Sequence, residues 1–243
     1  MKRYCAAIFL ILNAHGFAQT YSYNDAQLWF NLYIEKKVSD RFSIHLNQQD
    51  RWTRNISLLN FAYADMGATF KINKHIKIMT DYVFTQKRDY VVPISDGMLF
   101  RTIHQFYIAV DMKKDIGRWR FMYRNMYQFQ YNSPYTSYRG FIPLQYDRNK
   151  FTVKYEFNKH FTYYIAEELY VPLNSPQTKG IDRSRTFFGL FYNTFKHQQL
   201  ELYFMYQDRT QNTIWFNQKN SYNYTQFILE KDFVYGIGYS LYF

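Results

Sequence analysis

Apolar and polar residues alternate with period two along nearly the whole of this chain, in successive runs of about ten residues. Phe42, Ile44 and Leu46 alternate with Ser43, His45 and Asn47. Phe106, Ile108, Val110 and Met112 oppose Gln105, Tyr107, Ala109 and Asp111, and Leu200, Leu202, Phe204 and Tyr206 oppose Glu201, Tyr203, Gln207 and Arg209. The last run is the most one-sided: Phe233, Tyr235, Ile237, Tyr239, Leu241 and Phe243 share one face, with Val234, Gly236, Gly238, Ser240 and Tyr242 on the other. Period two places such sets on opposite faces of a strand. About ten residues is the length a tilted strand needs to cross a bilayer. No stretch offers about twenty consecutive apolar residues, which rules out a membrane protein built of helices.

Composition fits the same solution. The chain carries 26 Tyr, 24 Phe and 4 Trp in 243 residues, yet its mean hydropathy is that of a soluble protein. A barrel reconciles the two, because half of each strand is apolar for lipid and half is polar for the lumen. Aromatics favour strands and populate the interfacial girdles. The expected fold is all-β: an antiparallel transmembrane β-barrel of about twelve strands (range roughly ten to fourteen), one domain over residues 19–243.

The connections alternate in length. Short ones are expected near Lys36–Asp40, Asn73–His75, Lys113–Arg118, Asn158–His160, Lys196–Gln198 and Glu230–Asp232. Long ones are expected near Thr53–Asn60, Arg88–Phe100, Asn132–Asp147, Pro172–Ser184 and Thr210–Asn220. Two short turns repeat, Ile72-Asn73-Lys74-His75-Ile76 and Phe157-Asn158-Lys159-His160-Phe161, as one hairpin unit used twice. Twelve strands would put both chain ends on one rim and the short turns outside, the reverse of the outer-membrane pattern. If 222–229 instead belongs to a long final loop, the sides come right and the count becomes odd.

The first eighteen residues read as a secretory signal peptide: Lys2 and Arg3, the apolar Ala6–Leu12, and Gly16-Phe17-Ala18 as the cleavage site before Gln19. Cys5, the one cysteine, lies inside it, so the mature chain offers no disulfide and no thiolate. The formal net charge is +11, or +9 once Lys2 and Arg3 leave with a segment that holds no acid. For a barrel secreted to the bacterial outer membrane, the partners this implies are outer-membrane lipid and lipopolysaccharide and small anionic solutes, with nucleic acid excluded.

Several residues together resemble an uncharacterised family of bacterial outer-membrane barrels, domain of unknown function 2490. They are Trp29, Gln48-Gln49-Asp50-Arg51, Arg124, Glu168 within AEELYVPL (166–173), Arg185 ahead of Phe188-Gly189-Leu190, and the terminal YGIGYSLYF. The resemblance implies the fold and the location and no activity. The ending also resembles the signal that outer-membrane proteins present to the barrel-assembly machinery, carried here by Gly238, Leu241 and Phe243.

Candidate chemistry is sparse. Ser43 and His45 share a face about 7 Å apart, too far for a nucleophile–base hydrogen bond, and no Asp or Asn obviously completes a set. Glu167 and Glu168 are neighbours on a strand and face opposite ways. His75, His160 and His197 lie on separate turns without metal-ligand spacing. No catalytic group, cofactor or metal is therefore expected. The stronger signal is the basic lumen face: Arg51, Arg120, Arg124, Lys150, Lys154, Arg185 and Arg209, with Glu168 among the fewer acids. These point to a narrow passive pore or a largely plugged structural envelope barrel with a positively biased lumen. The alternatives are a barrel-wall lipid-processing enzyme at Ser43 and His45, or a surface adhesin or binding barrel.

Overall fold

The computed structural model describes residues 20–88, 100–132, 143–174, 180–216 and 223–243. The segment read as a signal peptide and most of the long connections lie outside them. Eleven strands among the described residues close into one barrel: β1 (Thr20–Lys37), β2 (Phe42–Thr53), β3 (Leu58–Lys71), β4 (Ile76–Arg88), β5 (Phe100–Ile116), β6 (Trp119–Asn132), β7 (Leu144–Glu156), β8 (Phe161–Pro172), β9 (Arg183–Phe195), β10 (Gln198–Phe216) and β11 (Asn223–Tyr242). Each strand pairs antiparallel with its neighbour in sequence, and β1 closes against β11 in parallel, Ala26 opposite Phe233 and Ile34 opposite Leu241. The barrel is therefore mixed rather than purely antiparallel.

The strand count is eleven, not twelve. Residues 222–229 and 233–243 were expected as two strands divided by a turn at Glu230–Asp232. Asn223–Tyr242 form one continuous strand, in which Glu230, Lys231 and Asp232 lie opposite Arg209, Asp208 and Gln207 of β10. The polar triplet mimics a turn, but it alternates across the sheet, and Asp232 is buried in the lumen with Gln207 donating to it. The odd count puts the two ends of the strand series on opposite rims. Phe243 sits on the rim of the short turns, its N–H donating to Glu35 (2.8 Å) and its carbonyl accepting from Lys37 (2.7 Å).

A second expectation fails at Thr53–Asn60, read as a long loop. Arg54–Ser57 is a tight turn in which Arg54, Asn55 and Ile56 all have positive φ, at 54°, 54° and 66°. Asp25 holds it by accepting from the Arg54 and Asn55 N–H groups at 3.1 and 2.8 Å. The repeated turns behave as the repeat implies. Asn73 Oδ1 accepts from the His75 and Ile76 N–H groups at 2.7 and 2.9 Å, and Asn158 Oδ1 accepts from His160 and Phe161 at 2.8 and 2.9 Å. Each is an Asx turn closing a hairpin.

Alternation sorts the side chains as the strand period dictates. The outer face exposes Phe30, Ile44, Leu46, Met66, Phe106, Ile108, Ile165, Phe188 and Tyr235, while Ser43, His45, Asp65, Asp81, Asp111, Glu168 and Arg185 are buried inside. Part of the interior is apolar. Trp29, Tyr164, Ala166, Phe187, Met205 and Val234 pack into one cluster, with Met205 and Val234 fully buried. Inward glycines make room for this filling. The Tyr164 ring lies over Gly189 and the Tyr203 ring over Gly236, so a Cβ would stand 2.2 Å and 1.9 Å from ring carbons.

Candidate functional site

The lumen is the concave, charge-lined feature of this fold. A cavity of about 1220 Å³ occupies the half toward the long connections, lined by ten Arg and Lys residues and six Asp and Glu residues. A smaller one of about 160 Å³ lies toward the short turns. Arg124, Lys150, Tyr164 and Glu201 line both, and so form the waist between them.

One row of directly opposed residues winds round the wall: Lys77, Asp111, Arg124, Lys150, Glu168, Arg185, Gln207, Asp232 and Asp25. Strand pairing alone brings these charges together, since none is close to the next in sequence. Arg124 binds Asp111 with both nitrogens, at 2.6 and 2.8 Å, and Lys77 reaches the same carboxylate at 3.3 Å. Glu168 accepts from Arg148 at 2.6 Å and lies 3.5 Å from Arg185. Arg185 also donates to Gln207 (2.7 Å) and to the Tyr170 hydroxyl.

Aromatic rings cap the arginines. The Arg51 guanidinium lies 3.7 Å from the Trp29 ring centre, and Arg185 lies 5.3 Å from the same ring. Arg148, Arg183 and Arg185 all approach Tyr170, at 4.4, 4.7 and 4.8 Å. Such cation–π contacts hold guanidiniums in place without neutralising them. Arg51 donates to Gln49 and Tyr63 and makes no ion pair among the described residues.

The expected basic wall on β6 and β7 is geometrically present, with Arg124 opposite Lys150 and Arg120 opposite Lys154. Its charges are not equivalent. Arg120 pairs with Asp115 (2.6 Å) and Glu156 (3.4 Å), and Arg124 with Asp111. Lys150 and Lys154 have no carboxylate within ion-pair distance among the described residues. They sit instead over the Phe187 and Phe191 rings at 4.1 and 4.2 Å. Arg209 lies nearer the rim, 3.5 Å from Glu230. Glu167 points outward, as its neighbour's inward position requires, and accepts from Thr186 at 2.6 Å.

Two features of the lumen escaped the sequence reading. Arg148 and Arg183 lie on the inward parity of β7 and β9, at the edges of the connections expected at Asn132–Asp147 and Pro172–Ser184; extending the alternation backwards finds them. The partner of His45 is Asp81, two strands away, which no spacing reveals. It supplies the acid that Ser43 and His45 lacked. Yet Ser43 Oγ has no hydrogen-bond partner, so no nucleophile–base contact exists. Of the terminal residues, Gly238 faces inward beneath Glu201, and Phe243 is 70% exposed at the end of the seam.

No curated protein matches the chain. Among solved structures, the NanC porin is 13% identical, with a TM-score of 0.46 over 75% of this chain and 86% of that one. A family model described as protein of unknown function (DUF2490) matches residues 26–218, spanning Trp29, Arg51, Arg124, Glu168 and Arg185. The chain therefore belongs to the DUF2490 family.

Proposed function

We propose that this protein is a passive outer-membrane barrel whose basic vestibule opens toward the long connections and ends in a narrow, anion-favouring waist. The location rests on the inverted surface. A closed barrel with an apolar exterior and a charged interior is stable in lipid, and water would leave that exterior exposed. Secretion by the signal segment and assembly through the terminal strand belong to the same reading.

The observation that carries the function is the waist. Lys150 lines both cavities, Lys154 lines the inner one, and neither has a carboxylate within ion-pair distance among the described residues, although Glu201 also lines the waist. Fixed positive charge in a narrow, partly desolvated passage raises the local anion concentration and opposes cations. The wall chemistry supports small inorganic or carboxylate anions as permeants. The apolar cluster around Met205 and Val234 supports a low conductance. Ser43 and His45 make no hydrogen bond to each other, so the geometry lends no support to the enzyme alternative.

The test is single-channel recording of the refolded protein in planar bilayers. Small steps with a chloride-selective reversal potential under a KCl gradient are expected. Replacing Lys150 and Lys154 together with Gln should reduce that preference. Arg120 and Arg124 are poorer targets, because each is already paired with a carboxylate. Cation selectivity in the parent protein refutes the proposal. Absence of conductance replaces it with a plugged structural barrel.

A further inference from the structure

We infer that His45, Asp65 and Asp81 form a binding site for one divalent metal ion of the zinc class on the lumen wall. The three residues come from adjacent strands, β2, β3 and β4. His45 and Asp81 lie opposite Gly67 from its two sides, and Asp65 is two residues from Gly67 on the same face. One ligand atom from each lies within 4.8 Å of the others. That spread suits convergence on a single ion, which needs ligand distances of about 2.0–2.2 Å.

Gly67 opens the space. A Cβ there would stand 1.8 Å from Asp81 Oδ1 and 2.7 Å from His45 Nε2, so any other residue would push the two apart. All three side chains are at least nine-tenths buried, at 7%, 7% and 4% exposure for His45, Asp65 and Asp81. Among the described residues, both carboxylates retain an oxygen without a hydrogen-bond partner, Asp65 Oδ1 and Asp81 Oδ2. Among the described residues, neither carboxylate has a lysine or arginine within ion-pair distance; His45 on Asp81 is the one basic contact. A bound cation would satisfy the orphaned oxygens of two neighbouring buried carboxylates.

The surroundings hold the ligands in place, as metal sites require. Tyr107 donates to Asp65 Oδ2 at 2.9 Å, which leaves Oδ1 as the free ligand atom. The Tyr33 ring stacks on the His45 imidazole, with centroids 5.5 Å apart. Asp65 and Tyr107 border the larger lumen cavity, which provides access. One imidazole with two carboxylates favours zinc or a similar divalent transition metal. Calcium prefers six to eight oxygens, a set this wall does not offer.

The experiment uses the full mature barrel, refolded, stripped with EDTA and titrated calorimetrically with zinc chloride. One equivalent should bind. His45→Ala and Asp81→Asn should each weaken binding by at least about 100-fold, and Tyr107→Phe, which keeps every ligand, by about tenfold. Heat-modifiable migration confirms that each variant is folded. Should the two ligand variants fail to fold, the Tyr107→Phe titration decides. An unchanged affinity in that variant overturns the assignment. So do the absence of stoichiometric zinc binding, a preference for calcium over zinc, or binding lost on His75→Gln or His160→Gln instead.

Discussion

Glu168→Gln tests the central claim about the lumen, that strand pairing assembles a charge row whose members depend on one another. The substitution preserves shape and removes one negative charge. Arg148 loses a carboxylate at 2.6 Å and Arg185 one at 3.5 Å, while the Arg185 side chain remains 8% exposed. Two unit charges about 4 Å apart interact by about 4 kcal/mol at an effective dielectric of about 20. Removing one member of a buried pair costs about 3–5 kcal/mol. Arg185 keeps Gln207 and Tyr170, and Arg148 keeps Gln128 at 2.7 Å, so the lower end of that range applies, about 3 kcal/mol. The assay is urea unfolding of the refolded barrel in detergent or vesicles, followed by tryptophan fluorescence. Glu167→Gln is the matched control, the same change one residue earlier on the outer face, where the partner is Thr186. It should shift stability by about 1 kcal/mol or less. Glu168→Gln should also strengthen chloride preference, since it leaves the vestibule more positive. A Glu168→Gln barrel within about 1 kcal/mol of the parent, or a larger loss from Glu167→Gln, would refute the reasoning.

Protein isolated from outer membranes should have the intact mass of a chain starting at Gln19; a chain retaining Met1 to Ala18 contradicts the processing site. Deleting Phe243 removes the terminal backbone bonds to Glu35 and Lys37 and should lower the yield of heat-modifiable barrel in cells; unchanged yield means the ending is only a strand. Gly236→Ala sets a Cβ 1.9 Å from the Tyr203 ring and should destabilise by about 1–3 kcal/mol in the urea assay. With Tyr203→Ala already present, that penalty should fall below about 0.5 kcal/mol.

The barrel was legible because its rule is local. Alternation marks each strand, and the inward parity of Arg51, Arg124, Lys150, Glu168 and Arg185 follows from it without tertiary information. The errors lie where local chemistry imitates something else. Glu230-Lys231-Asp232 has the composition of a turn, and only the pairing with β10 shows it to be mid-strand. Arg54–Ser57 is shorter than its polarity suggested, because Asp25, about thirty residues away, satisfies its backbone. The parallel seam was invisible for the same reason: it joins the first strand to the last. What a parity rule cannot give is which charges neutralise each other. Asp111 selects Arg124 and Lys77, while Lys150 is left to the face of Phe187, and both outcomes depend on the register between separate strands.

The ring-over-glycine contacts bear on how the strands find that register. Lipid cannot tell a sheet from one slipped by two residues, because an even slip returns every apolar side chain to the outside. The discrimination has to come from the lumen. The Tyr164 ring lies over Gly189, which is flanked on its inward side by Phe187 and Phe191. A two-residue slip in either direction would drive a tyrosine ring into a phenylalanine where the wall now has no side chain at all. The glycine acts as a keyhole. It admits one alignment of β8 against β9 and rejects the neighbouring ones by steric exclusion, where the apolar outer face exerts no preference among them.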